Sequence, residues 1–369
     1  MAKQKETANR TPSTVTVIIP MYNAEKYIEQ CLNSLVAQTS QDFDVIVVDD
    51  CSTDNSVNLV RNFIPQFDGR LRLKSLSKNS GNSGVPKNTA IQMARSKYLT
   101  FLDSDDYFGA TAIEELIKIA EMTDADIVHA SHYFSFKDGQ NNISTSTFQQ
   151  KYFVDRPVLE SPDIGERVKK FTERGFLWWG CNKLIRREFL LENKINFPPV
   201  SVWEDLVFAF MCVICAKNYV RVPNVFYFYR LRDDSLSHRP NDPFNMIQTL
   251  MKVIKALDDF MDRIEFFKQN PQFRYMFFDW HIQARLNILC KFFYVDNNFQ
   301  PFLIDKLFRQ KFSSANLQEC LGFMSYFYTA TTYQRFLLSK MSGENTALKK
   351  KISELEMDLA KYKVNSFVK

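Results

Sequence analysis

The chain has 369 residues, room for two domains or for one large domain with an appendage at about 150 residues per domain. It is 45% hydrophobic and 24% charged, the balance of a globular protein with ample core, but holds only 10 Gly, which disfavours chemistry resting on glycine-rich phosphate loops. The net charge of +5 sits in the ends, +2 in residues 1–14 and +3 in residues 340–369, so the body is neutral and lacks the basic surface that nucleic-acid binding needs.

Residues 1–13 are polar and read as a disordered tail. Val15–Pro20 reads as a strand, followed by a helix capped by Asn23 with Ile28, Leu32, Leu35 and Val36 on its apolar face. Phe43–Val48, Leu71–Leu76, Tyr98–Leu102 and Ile127–Phe134 read as further strands, with helices after Asp54, over Val85–Arg95 and over 111–123. This alternation predicts an α/β fold, a mostly parallel sheet sandwiched by helices, with ligands bound beyond the carboxyl ends of the strands. His129 and His132, three apart on a strand, point to opposite faces and read as structural.

Residues 135–162 are turn-rich. Trp178 and Trp179 fall in a loop before an amphipathic helix at Lys183–Leu191, and Tyr219–Val222 and Val225–Tyr229 read as two short strands. Leu206–Ala216 is an apolar helix too short to span a bilayer, and its Cys212-x-x-Cys215, without a second pair, reads as core rather than zinc site. A helical region follows, over 241–340, rich in aromatic groups such as Phe266-Phe267, Phe277-Phe278, Phe292-Phe293-Tyr294 and Tyr326-Phe327-Tyr328. These read as the core of a helical subdomain, or as a surface for self-association or a membrane-bound acceptor. Over 341–369, Leu348, Ile352, Leu355, Leu359 and Tyr362 form a heptad seam, which fits a coiled-coil or docking helix and equally a helix packed on its own domain.

Seven Cys without paired spacing, a polar start and no run of about 18 apolar residues predict a cytoplasmic chain, with basic tails that can touch the inner face of a membrane.

Three acidic clusters follow strand ends or open a helix. The first is Asp49-Asp50 with Asp54, the second Asp103-Ser104-Asp105-Asp106, the third Trp203-Glu204-Asp205. Close carboxylates repel unless a cation compensates, and hard oxygen ligands at a strand end suit Mg²⁺ or Mn²⁺ shared with substrate phosphates. Asp205 stands at the edge of an apolar helix, where a carboxylate's pKa can rise as a general base requires.

The segments Val17-Ile18-Ile19-Pro20-Met21-Tyr22-Asn23, Asp49-Asp50-x-Ser52-x-Asp54, Asn79 through Asn88, Asp103-x-Asp105-Asp106 and Glu204-Asp205 together resemble family 2 glycosyltransferases of the GT-A fold over about residues 14–235, which implies a catalytic domain at 14–240. The run Asn79–Asn88 is similar to the bacterial branch that decorates wall teichoic acid and other surface polysaccharides. The resemblance implies an inverting transfer of sugar from a nucleotide donor, usually UDP-linked, to a glycan, lipid-linked or polyol-phosphate hydroxyl. Pro20, Tyr22, Asn23 and Asp50 would line the nucleotide pocket. Asn79, Gly81, Lys87, Asp103 and Ser104 would touch ribose, diphosphate or sugar. Asp105 would bind Mn²⁺ or Mg²⁺, with His238 a further candidate ligand. Asp205 would be the base with Glu204 beside it, and Trp178, Trp179 and Trp203 would face the acceptor. Lys87 departs from the family's usual Arg, so a point charge replaces a bidentate fork.

Other classes fit less well. A dehalogenase-type phosphatase places its Asp-x-Asp on the first strand, whereas here it follows the fourth. A nucleotidyltransferase of the same fold resembles a Gly-rich start that is missing. A non-catalytic carbohydrate-binding protein would not need the complete acid set.

Overall fold

The computed structural model describes residues 11–138, 144–145, 153–232, 243–295 and 298–299. In chain order the first half forms β1 (Val15–Met21), α1 (Ile28–Val36), β2 (Phe43–Asp49), α2 (Ser56–Phe63), β3 (Leu71–Ser75), α3 (Gly84–Met93), β4 (Tyr98–Phe101), β5 (Tyr107–Phe108), α4 (Ala112–Thr123), β6 (Ile127–Phe136) and β7 (Ser144–Thr145). There follow β8 (Val158–Leu159), α5 (Ile164–Thr172), β9 (Lys183–Arg186), α6 (Arg187–Glu192), α7 (Glu204–Cys215), β10 (Tyr219–Arg230), α8 (Pro243–Met261), α9 (Glu265–Gln269), α10 (Pro271–Phe293), β11 (Tyr294–Val295) and β12 (Asn298–Phe299). Two compact units are present, residues 1–282 and 283–369; within the second, β11 and β12 pair as a hairpin.

The first unit is organised by one sheet in the order β3-β2-β1-β4-β9-β6-β10-β5, with β7 beside β6 and β8 beside β10. Every residue of β1 is buried, as a strand covered on both faces requires. Alternation sends Val17 and Ile19 to one core, shared with Leu32 and Leu35 of α1 and Leu116 of α4. Ile18 goes to the other, with Ala90 and Ile91 of α3 and the apolar wall of α7. Pairs β3-β2, β2-β1 and β1-β4 are parallel, so their carboxyl ends share one edge. The chain builds outward from β1 to β3, then returns to β1's other side with β4, leaving a crevice where the direction reverses.

The other half of the sheet is mixed. The helix expected at Lys183–Leu191 is instead strand β9 followed by the short helix α6. Leu184 and Ile185 run antiparallel between β4 and β6, where the open strand edges on both sides outweigh local helical periodicity. The two strands expected at 219–229 are one, β10, whose register against β6 shifts between Val222 and Val225 and again between Val225 and Phe228; Pro223, unable to donate, lies in the first shift. Asn23 does not cap α1: it takes a left-handed φ of 48°, and Tyr27 precedes the helix. The buried face of α1 is Ile28, Cys31, Leu32 and Leu35, whereas Val36 is exposed.

Cys212 is buried within α7, as core packing predicts. Phe267 and Phe277 are buried, with Phe266 and Phe278 partly buried against the same core, which α8 also joins through Val253 and Leu257. The Tyr326–Tyr328 cluster and the seam from Leu348 lie outside the described residues. Among the described residues no helix is long and apolar enough to cross a membrane.

Candidate active site

Loops from the carboxyl ends of β1, β2, β3 and β4 converge at the crevice. Pro20 is buried in β1, and Tyr22 stands 47% exposed at its end. Asn23 holds the β1 and β2 loops together: its N–H donates to Ser52 Oγ (2.9 Å), and its Oδ1 accepts from the Thr53 N–H (2.8 Å). Its short polar side chain tolerates the left-handed backbone this geometry requires. Asp50 is buried beneath the 79–83 loop, where its carboxylate accepts from the Ser80 N–H and Oγ, both at 2.9 Å. Asn79 Nδ2 donates to the Asp50 carbonyl, and Asn79 Oδ1 accepts from the Gly81 N–H, each at 2.9 Å. Gly81 takes φ +74°, which suits glycine there. Asp50, Asn79 and Gly81 thus form one bonded group.

That loop feeds α3, whose first turn meets the start of α7. Ser83 Oγ donates to Glu204 Oε1 (2.7 Å), and Lys87 Nζ donates to Asp205 Oδ1 (2.9 Å). The Lys87 side chain is 3% exposed and that of Asp205 20%, so the cation lies inside and the carboxylate at the lip. Burial alone would depress the Lys87 ammonium, but Asp205, Asp103 and Glu204 outweigh it and hold its pKa above the ordinary value. Desolvation, then the Asp205 charge, push Glu204 up to about 7. Gly180 backs onto this carboxylate: a Cβ there would lie 2.9 Å from Asp205 Oδ1.

The acidic turn after β4 divides its carboxyls among different tasks. Asp106 is buried, accepting from Tyr227 Oη (2.6 Å) and from the Arg230 N–H (2.8 Å). Burial and the neighbouring Asp105 and Asp103 raise its pKa well above the carboxylate range. Asp103 is half-buried and pushed up to about 6 by desolvation, with Asp105 and Asp205 adding to the rise against the pull of Lys87. Asp105 pairs with Arg232 Nη2 (2.8 Å), and Ser104, between Asp103 and Asp105 in the turn, is half-buried. Among the described residues no group of three His, Cys, Asp or Glu is placed to hold a metal ion. Asp103 and Asp105, two positions apart in the turn after β4, are the carboxylates that could hold a divalent cation together with substrate oxygens. His238 lies outside the described residues.

Trp178 and Trp203 pack partly buried against the α7 core, and Trp179 packs against the opposite core, 4.7 Å from Tyr133 and 5.0 Å from Tyr229 between ring centroids. Trp203 takes a left-handed φ of 67° directly before Glu204, a strained position for an aromatic residue. The three indoles therefore lie on two separate cores. Several partners were not singled out from sequence: Ser80, Ser83, Gly180, Lys183, Tyr227, Arg230 and Arg232. Ser80 and Ser83 lie inside a recognised motif, and Arg232 six residues before His238; the others carry no local signal.

The model of "Glycosyl transferase family 2" matches residues 16–192. Glycosyltransferase GlyG of Streptococcus pneumoniae is 30% identical over 225 residues, 60% of this chain and 72% of that protein. Poly(ribitol-phosphate) beta-glucosyltransferase of Bacillus spizizenii is 29% identical over 252 residues, 66% of this chain, which spans only 37% of that protein's length. The crystal structure of S. aureus TarS 1-349 in complex with UDP-GlcNAc superposes with a TM-score of 0.59 at 21% identity, covering 86% of this chain and 81% of that one, a likeness of fold. With its motif loops, crevice and acid set in one place, the chain belongs to glycosyl transferase family 2.

Proposed function

We propose that this chain is an inverting glycosyltransferase that moves a sugar from a UDP-linked donor to a hydroxyl of a polyol-phosphate or glycan acceptor in cell-surface polymer synthesis. The observation that carries this reading is the Asp205 carboxylate at the lip of the crevice, paired with the buried Lys87 at 2.9 Å and adjoining Asp103. The names of the glucosyltransferase relative and of the UDP-GlcNAc complex support the acceptor and donor classes.

In this reading the nucleotide lies over Pro20, Tyr22 and Asn23, with Asp50 and Asn79 shaping the loop that closes on it. Asp205 takes the proton of the acceptor hydroxyl as that oxygen bonds to the anomeric carbon. The bond from that carbon to the diphosphate breaks on the opposite face, and its electron pair leaves with the nucleoside diphosphate. Lys87, held by Asp205, is proposed to touch the ribose, the diphosphate or the donor sugar, and Glu204 to border the acceptor. Asp103 and Asp105 would hold Mn²⁺ or Mg²⁺, which supplies charge neutralisation to a diphosphate. Trp178 and Trp203, on the core shared with α7, are proposed on the acceptor side, where sugar C–H faces pack on rings, and Trp179 would reach an acceptor only from the other core.

The test is nucleotide release from UDP-, GDP-, CDP- and dTDP-sugars, with Mn²⁺ or with EDTA, alongside donor binding on the same panel. Release or transfer from one donor supports the reading and names the sugar. Neither release nor binding from any donor turns it toward a non-catalytic carbohydrate-binding role.

A further inference from the structure

Lys183 opens β9 in the middle of the sheet and is 1% exposed. A buried lysine needs acceptors for its ammonium, and here they are main-chain carbonyls of a single loop. Lys183 Nζ donates to the Leu177 carbonyl at 3.0 Å, to the Trp179 carbonyl, and at 3.4 Å to the Cys181 carbonyl. Burial pushes this ammonium down to about 8, with the nearby Lys87 charge in the same sense and Asp205 opposing it. The loop so gathered contains Gly180, where an added Cβ would stand 2.9 Å from Asp205 Oδ1 and 3.3 Å from the Phe197 ring. Below the loop, Asn182 Nδ2 donates to the carbonyls of Ala130 (2.7 Å) and His132 (3.0 Å), tying it to β6.

Resting on the glycosyltransferase reading, we propose that Lys183 is a positioning residue for the transfer step. By collecting three alternate carbonyls from beneath, it sets the height of the 177–181 loop, and through Gly180 it fixes where the Asp205 carboxylate stands toward the acceptor hydroxyl. Lys183 itself touches neither donor nor acceptor. Leucine or methionine at this position would fill the space but leave the carbonyls without their shared donor. The cost then falls on geometry around the base rather than on donor affinity, because the donor loops are bonded separately through Asp50 and Asn23.

The experiment compares wild type with Lys183→Met, Lys183→Arg and Gly180→Ala, using UDP-glucose and UDP-GlcNAc as donors and a poly(ribitol phosphate) acceptor. Lys183→Met is expected to lower kcat for transfer about 100-fold, the scale of a small misplacement at a reacting centre, with donor Kd within about twofold of wild type. Lys183→Arg, which keeps the charge and several donors, should recover part of that loss. Hydrogen exchange in 176–182 should rise in Lys183→Met. If Lys183→Met does not fold, Gly180→Ala decides, since it presses on Asp205 without touching the lysine, and it should show the same split. Unchanged kcat in a folded variant, or loss of donor affinity in parallel with kcat, overturns the proposal. Wild type inactive with both donors counts against the glycosyltransferase reading; the exchange measurement then decides the loop contact separately, unchanged exchange overturning it.

Discussion

Lys87 and Asp205, 118 residues apart in sequence, meet at 2.9 Å where the first turn of α3 faces the first turn of α7. The pair joins the half of the crevice built by the donor loops to the half that carries the proposed base. A neutral residue at 87 would leave Asp205 beside Glu204 and Asp103 with its compensating cation gone. Lys87→Met is therefore expected to weaken transfer about 100-fold or more, the scale for losing one preorganised donor, with donor affinity falling too. Lys87→Arg, which restores a cation with a different shape, should fall between. Steady-state kinetics and donor titration check this, and values within twofold of wild type for Lys87→Met would remove the residue from donor recognition.

Asp205→Asn preserves the size of the side chain but cannot accept the acceptor proton. Transfer is expected to fall by about 1,000-fold, within the range for a general base, while UDP-sugar binding stays nearly unchanged. The two are separated by product formation and by calorimetric titration with donor. Wild-type turnover in Asp205→Asn excludes it as the base.

Glu204 supplies a pH dependence whose sign follows from its environment. Its carboxyl sits at about 7 in the folded chain against an ordinary value of 4.5, so the folded form binds the proton more tightly than the unfolded form does. The stability this contributes is full below about pH 4.5 and is lost as the pH rises through about 7. Thermal melts at about pH 5 and about pH 8 should differ less for Glu204→Gln, neutral at both, than for wild type. An equal drop in both proteins assigns the pH dependence to other groups.

Asp105 faces Arg232 at 2.8 Å, so a divalent cation would have to share or displace that partner. If Asp103 and Asp105 hold the metal, donor affinity should be higher with Mn²⁺ than with EDTA, and Asp105→Ala should abolish the difference. Retention of the Mn²⁺ effect in Asp105→Ala rules this residue out as a ligand.

Phe197 links packing to the site. Its ring stacks on Phe208 at 3.9 Å and meets Phe101 edge-on at 5.3 Å, with the Lys87 ammonium 5.0 Å from its centre. Its backbone is clamped by Asn88, which donates to its carbonyl (2.8 Å) and accepts from its N–H (3.0 Å). Phe197→Ala is expected to cost about 3–5 kcal/mol in denaturant unfolding, as for other buried aromatic truncations. A loss under about 1 kcal/mol would mean that the cavity closes by collapse of its neighbours.

The nucleotide-binding half was legible in the chain itself, because each of its signals is local. Val15–Pro20 and Phe43–Val48 are largely apolar runs that call for a covered parallel sheet, and the acids that follow β2 and β4 come at the strand ends by chain order alone. Order and spacing of those motifs also determined the family. What tertiary structure decided was pairing across distance. The Lys183–Arg186 segment becomes a strand because β4 and β6 offer it two edges, something no window of nine residues contains. Asp105 meets Arg232, Asp50 meets Ser80 and Glu204 meets Ser83 because the fold closes there. The residue types present in the crevice follow from sequence; which carboxyl is bonded, paired or raised depends on neighbours that only folding brings within hydrogen-bond reach.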